Sequence, residues 1–102
     1  MPTEILQLNQ EGIDFKAQFT NSDGTDKNIS GNTSVDMEFR KPDNTKVTEN
    51  GITVTDANSG NVEYSETTNA KTNIKGAWEY RPIAIFVGST VPGKWIQYIV
   101  SD

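Results

Sequence analysis

Apolar residues recur at every second position through most of this chain, and the interruptions are Asn, Asp, Gly and Pro. Ile13-Asp-Phe-Lys-Ala-Gln-Phe19 is the cleanest case, with Ile13, Phe15, Ala17 and Phe19 on one face of an extended segment. Ser34 to Phe39 repeats the pattern through Val35, Met37 and Phe39. Further short runs are Glu4–Leu8, Lys46–Thr48, Ile52 with Val54, Val62 with Tyr64, the long run from Gly76, and Trp95–Val100. No window spaces apolar residues at i, i+3, i+4 and i+7 over three turns, so a long helix is not expected. The pattern predicts an all-β fold of seven or eight antiparallel strands, an immunoglobulin-like sandwich. Residues 1–10 read as an N-terminal arm or first strand, and residues 11–102 as the sandwich domain.

The turns carry their own chemistry. Asn21-Ser-Asp-Gly24 and Lys41-Pro-Asp-Asn-Thr45 combine residues that tolerate positive φ with side chains that bond the local backbone. Gly88-Ser-Thr-Val-Pro-Gly93 reads as a third turn, and the polar stretch from Ser65 to Lys75 as a longer connection or one helical turn. In the long run, Trp78 and Tyr80 share a face, but Ile83, Ile85 and Val87 follow after Pro82. That change of parity predicts a bulge or an edge position near Pro82, because proline donates no ladder hydrogen bond.

Composition narrows the function classes. The 102 residues make one domain, with 33% hydrophobic residues, two Trp, three Tyr and four Phe to build a core. Fourteen acidic and nine basic residues leave a formal charge of −5, and the basic ones are dispersed. Neither nucleic acid nor an anionic membrane is therefore an expected partner. With no Cys and no His, thiol and histidine-based nucleophilic catalysis and Cys/His zinc sites are excluded. Asp36 with Glu38, or Glu63 with Glu79, would be the carboxylate pairs of a hydrolase, but alternation assigns them to solvated strand faces. No catalytic residue, metal or cofactor is expected. Asn21–Asp26 lacks the ligand positions of a calcium loop.

The last segment is the strongest hint of contact. Trp95-Ile-Gln-Tyr-Ile-Val100 is apolar on both faces: Trp95 and Ile99 on one, Ile96, Tyr98 and Val100 on the other. One sheet covers one face, so a neighbouring subunit is expected on the other. The expected interface is Trp95, Ile96, Tyr98 and Val100 with Ile5, Leu6 and Leu8 of the arm. An exposed Trp or Tyr would alternatively stack on a host glycan.

The order of motifs adds a resemblance. Ile29-Ser-Gly-Asn-Thr-Ser-Val35 leads to Phe39-Arg-Lys-Pro-Asp-Asn-Thr45, then Gly51-Ile-Thr-Val-Thr-Asp-Ala57, Gly60-Asn-Val-Glu-Tyr64 and Gly76-Ala-Trp-Glu-Tyr80. This series resembles the N-terminal immunoglobulin-like domain of phage baseplate upper proteins, with Asn44 where a glycine is common. The resemblance implies a virion structural domain in contact with other virion proteins. Taken with the composition and the apolar last segment, it leads to the expectation of a non-enzymatic virion protein, made in the host cytoplasm, that forms homo-oligomers. A tail or baseplate adaptor or attachment domain is the first expectation. Capsid decoration and a carbohydrate-binding module are the alternatives.

Overall fold

The computed structural model describes residues 3–102 and is built from strands, turns and irregular loops, with no helix among those residues. Nine strands form: β1 Glu4–Gln7, β2 Ile13–Gln18, β3 Ser34–Arg40, β4 Lys46–Glu49, β5 Thr53–Asp56, β6 Asn61–Glu66, β7 Gly76–Phe86, β8 Ser89–Pro92 and β9 Ile96–Ser101. They make two sheets. The larger runs β1-β9-β7-β3-β4, with β8 also on β7, and the smaller runs β2-β6-β5. All pairings are antiparallel except β1 on β9, which is parallel. The all-β sandwich is the architecture the alternation predicts, with β8 as an additional strand.

That extra strand comes from the stretch read as a turn. Gly88 takes φ 80° and closes a tight β7–β8 hairpin, with Phe86 opposite Ser89. The expected irregularity at Pro82 is also relocated. β7 alternates without a break: Trp78, Tyr80, Pro82 and Ala84 are buried, while Ala77, Glu79, Arg81, Ile83 and Ile85 turn outward. Pro82 itself fills an inward core position. The extra residue sits on the facing strand. Ile83 pairs with Pro92 and Tyr80 with Ile96, so the three residues Gly93 to Trp95 oppose only Arg81 and Pro82. The Gly93 amide donates to the Pro82 carbonyl at 2.7 Å. A Cβ on Gly93 would lie 2.7 Å from Pro82 Cγ, so the ring selects glycine there.

The two hairpin turns share one device. The Asp23 and Asp43 carboxylates accept from the amide and hydroxyl of Thr25 and Thr45 respectively, and these bonds hold both carboxyls below their ordinary pKa. The left-handed position falls on Gly24 in the first turn and on Asn44, φ 71°, in the second.

Between the sheets lies an aromatic cluster. Phe15 of β2 meets Phe39, Tyr80 and Tyr98 of the larger sheet at 5.0, 5.2 and 5.3 Å between ring centroids. Trp78 stacks on Tyr98 at 5.7 Å. The long connection between β6 and β7 closes one end of this core. Lys71 is buried there, its ammonium 3.0 Å from both Glu66 and Glu49 and 5.0 Å from the Phe39 ring centroid. Tyr98 donates its hydroxyl to the Lys71 carbonyl at 2.7 Å, and Trp78 Nε1 donates to the Ile74 carbonyl at 2.9 Å. A loop that looks merely polar in sequence is thus tied into the core by a satisfied charge pair.

Burial alone would push the Glu66 carboxyl up. Hydrogen bonds from Lys71, from the Thr68 amide and hydroxyl, and from Tyr64 outweigh it and hold the group down at about 2. A carboxyl depressed in the folded state stabilises above its unfolded pKa, near ~4.3, and that contribution is lost as pH falls toward 2. Glu66→Gln should therefore lower stability by about 2–4 kcal/mol at pH 7 and flatten the acid side of the stability profile. Urea unfolding between pH 7 and pH 2.5 checks this; an unchanged acid slope would contradict it.

Candidate interaction face

The residues expected at an interface divide into three groups. Leu6, Tyr98 and Val100 lie in the core of a single copy. Leu8 and Ile96 pack against that core from its margin. Ile5 and Trp95 point outward from the larger sheet. The parallel β1–β9 pairing explains the split. It aligns Leu6 with Val100 on the inner side and Ile5 with Ile99 on the outer. The inner face of β9 is therefore sealed by the smaller sheet, with no second chain required. The arm is ordered in the same step, as a strand of the larger sheet.

The outer face of the larger sheet retains the surface features. Ile5 is 70% exposed. Beside it sit Ile99 and its β7 partner Ala77. Farther along β7, Ile83 and Ile85 are half-buried and face the same way. Between these two apolar ends runs a charged band. Glu38 pairs across the sheet with Arg81 at 3.2 Å, and Arg40 pairs with Glu79. Both pairs follow the strand register, which places Glu38 opposite Arg81 and Arg40 opposite Glu79.

Trp95 lies on this band. Arg81 and Arg40 place their guanidinium carbons 4.5 and 4.8 Å from its ring centroid. The bulge at Gly93 creates this arrangement by turning Trp95 outward, opposite Arg81. Cation–π attraction and apolar contact hold the indole against the sheet. The ring is engaged by its own chain, so it is not a free stacking platform. Sequence alone did not reveal this clamp, since its members come from β3, β7 and the β8–β9 junction. The signal that was present is the β3–β7 charge alternation, Glu38/Arg40 against Glu79/Arg81.

The carboxylates considered for hydrolysis are dispersed or engaged. Glu38 and Glu79 are ion-paired on the outer face of the larger sheet, while Glu63 stands on the smaller sheet opposite Lys16. Among the described residues no cluster of three Asp or Glu side chains gathers as a metal site. One groove, of about 660 Å³, lies at the side of the sandwich between Glu4, Ile96–Tyr98 and residues Phe15–Gln18 of β2. Tyr80 stands in it with its hydroxyl donating to the Lys16 carbonyl at 2.9 Å. Burial and the Glu4 charge push its phenol up to about 12.

Trp95 and Trp78 should separate in unfolding experiments. Trp95→Ala removes a surface clamp and should cost about 1–2 kcal/mol. Trp78→Ala empties the core and should cost about 3–5 kcal/mol. Equal losses in urea titrations would contradict the assignment of Trp95 to the outer face.

No family model, no curated protein and no solved structure matches this chain.

Proposed function

We propose that this chain is a non-enzymatic structural protein of a phage virion, a tail or baseplate adaptor or attachment domain that works by surface contact. The observation that carries the reading is the outer face of the larger sheet. A cross-strand band of two ion pairs and a clamped Trp95 is flanked by outward isoleucines, among them the exposed Ile5. Rigid aromatic and arginine side chains ringed by apolar surface form the kind of patch that anchors protein contacts.

Two further observations support the assignment. The order β9-β7-β3-β4 over β2-β6-β5 follows the G-F-C-C′ and B-E-D strand order of immunoglobulin-like sandwiches. The motif series from Ile29 to Tyr80 resembles the domain of phage baseplate upper proteins, and its conspicuous residues lie in turns and core: Asn44 in a left-handed turn, Val62, Trp78 and Tyr80 inside. The engaged ring of Trp95 weighs against the glycan-binding alternative.

Purified particles of the phage that encodes the chain provide the test. Cross-linking mass spectrometry should find the chain in the particle, joined to tail or baseplate proteins through lysines near the outer face such as Lys46 and Lys94. Ile5→Asp should reduce incorporation about tenfold, equivalent to about 1.4 kcal/mol of contact energy, without shifting the unfolding midpoint. Absence of the chain from particles would overturn the reading, and links to the major capsid protein alone would replace it with capsid decoration.

A further inference from the structure

The smaller sheet ends on β2 with an open backbone edge. One pair beyond the β2–β6 ladder, the Phe19 amide donates to the Gly60 carbonyl, so Phe15 and Ala17, which alternate with Phe19, turn their backbone groups toward β6. Asp14, Lys16 and Gln18 turn theirs outward. The Tyr80 hydroxyl reaches the Lys16 carbonyl from that side, leaving its second lone pair free. The groove of about 660 Å³ follows this edge from Phe15 to Gln18.

We propose that this edge pairs with itself: two copies join β2 to β2, antiparallel, about a twofold axis at Phe15. The side chains choose the occupant and the register. Asp14, Lys16 and Gln18 alternate on the exposed face of β2, and among the described residues neither Asp14 nor Lys16 has an ion-pair partner. Asp14 accepts only the Ser65 hydroxyl, at 2.8 Å. With the axis at Phe15, Asp14 of each copy faces Lys16 of the other in a hydrogen-bonded cross-strand pair, and both charges are matched twice. An axis at Lys16 sets lysine against lysine, and one at Asp14 sets aspartate against aspartate. An axis between residues would oppose inward and outward side chains. A lone lysine on a sheet edge ordinarily guards against pairing; the neighbouring aspartate turns that guard into a register mark. The product is a continuous six-stranded sheet, β5-β6-β2-β2-β6-β5. This inference holds for the isolated chain, independently of the virion reading.

Sedimentation velocity of the full chain over a range of concentrations, at about 0.15 M salt, tests it. The wild type should form a dimer. D14K and K16E, both on exposed positions, should each weaken it about tenfold or more, and the charge-swapped D14K/K16E should restore it to within about threefold. Amide exchange gives a second reading: the Lys16 N–H should slow as concentration rises, while the Ala17 N–H stays protected throughout. A wild type that remains monomeric overturns the proposal. So does a dimer indifferent to both single variants, or a double variant no better than either one.

Discussion

The insertion of one ring organises this molecule. Phe15 is the residue of the smaller sheet that touches Phe39, Tyr80 and Tyr98 together, and so it joins β2 to β3, β7 and β9. A two-layer sandwich is stable only when each sheet hides its apolar side against the other. Here the three strands that carry most of the larger sheet's buried aromatic surface meet at that ring. The rest of the core extends from it: Trp78 stacked on Tyr98, and the Lys71 loop pinned by the Tyr98 hydroxyl at the far end.

This arrangement decides where contact surfaces lie. The inner side of β9 is consumed by the core, and β1 adds Leu6 to it rather than to a neighbour. Two surfaces left outside that core are the outer side of the larger sheet and the unpaired edge of β2. The two are of different kinds. The outer face presents side chains already ordered by ion pairs and by the clamp on Trp95, so little conformational freedom is lost when something binds them. The edge of β2 presents backbone groups, which select an extended strand, and charges that select a register. The net charge of −5 is spread over the surface, whereas the exposed β2 triplet of Asp14, Lys16 and Gln18 is neutral.

Much of the fold was legible in the sequence because a period of two is a local signal. Val35, Met37 and Phe39 are buried as the alternation says, and Asn44 occupies the left-handed turn position its chemistry allows. What was illegible depends on partners distant in the chain. Pro82 looked like an interruption, yet it continues the inner face of β7, and the extra residue lies on the opposing strand at Gly93–Trp95. The β8 segment has the composition of a turn and is a strand because a hairpin folds it onto β7. Lys71 sits in a polar stretch and is buried because Glu49 and Glu66 converge on it. The terminal strand is apolar on both sides, as its sequence says, and Glu4–Leu8 is legible as a short run; the parallel pairing of β1 with β9, which lays Ile5 beside Ile99, is invisible to periodicity. For the candidate face, Ile5 and Trp95 were legible as residues, while the arginine clamp required the three-dimensional register.

The claim that one ring joins the sheets is tested most directly by replacing it. Equilibrium unfolding of Phe15→Leu and Phe15→Ala should show losses of about 1–2 and about 3–5 kcal/mol, with the near-ultraviolet signal of the aromatic cluster weakened in step. Losses below about 1 kcal/mol for both, with that signal unchanged, would mean that the sheets are held together elsewhere and would contradict the account.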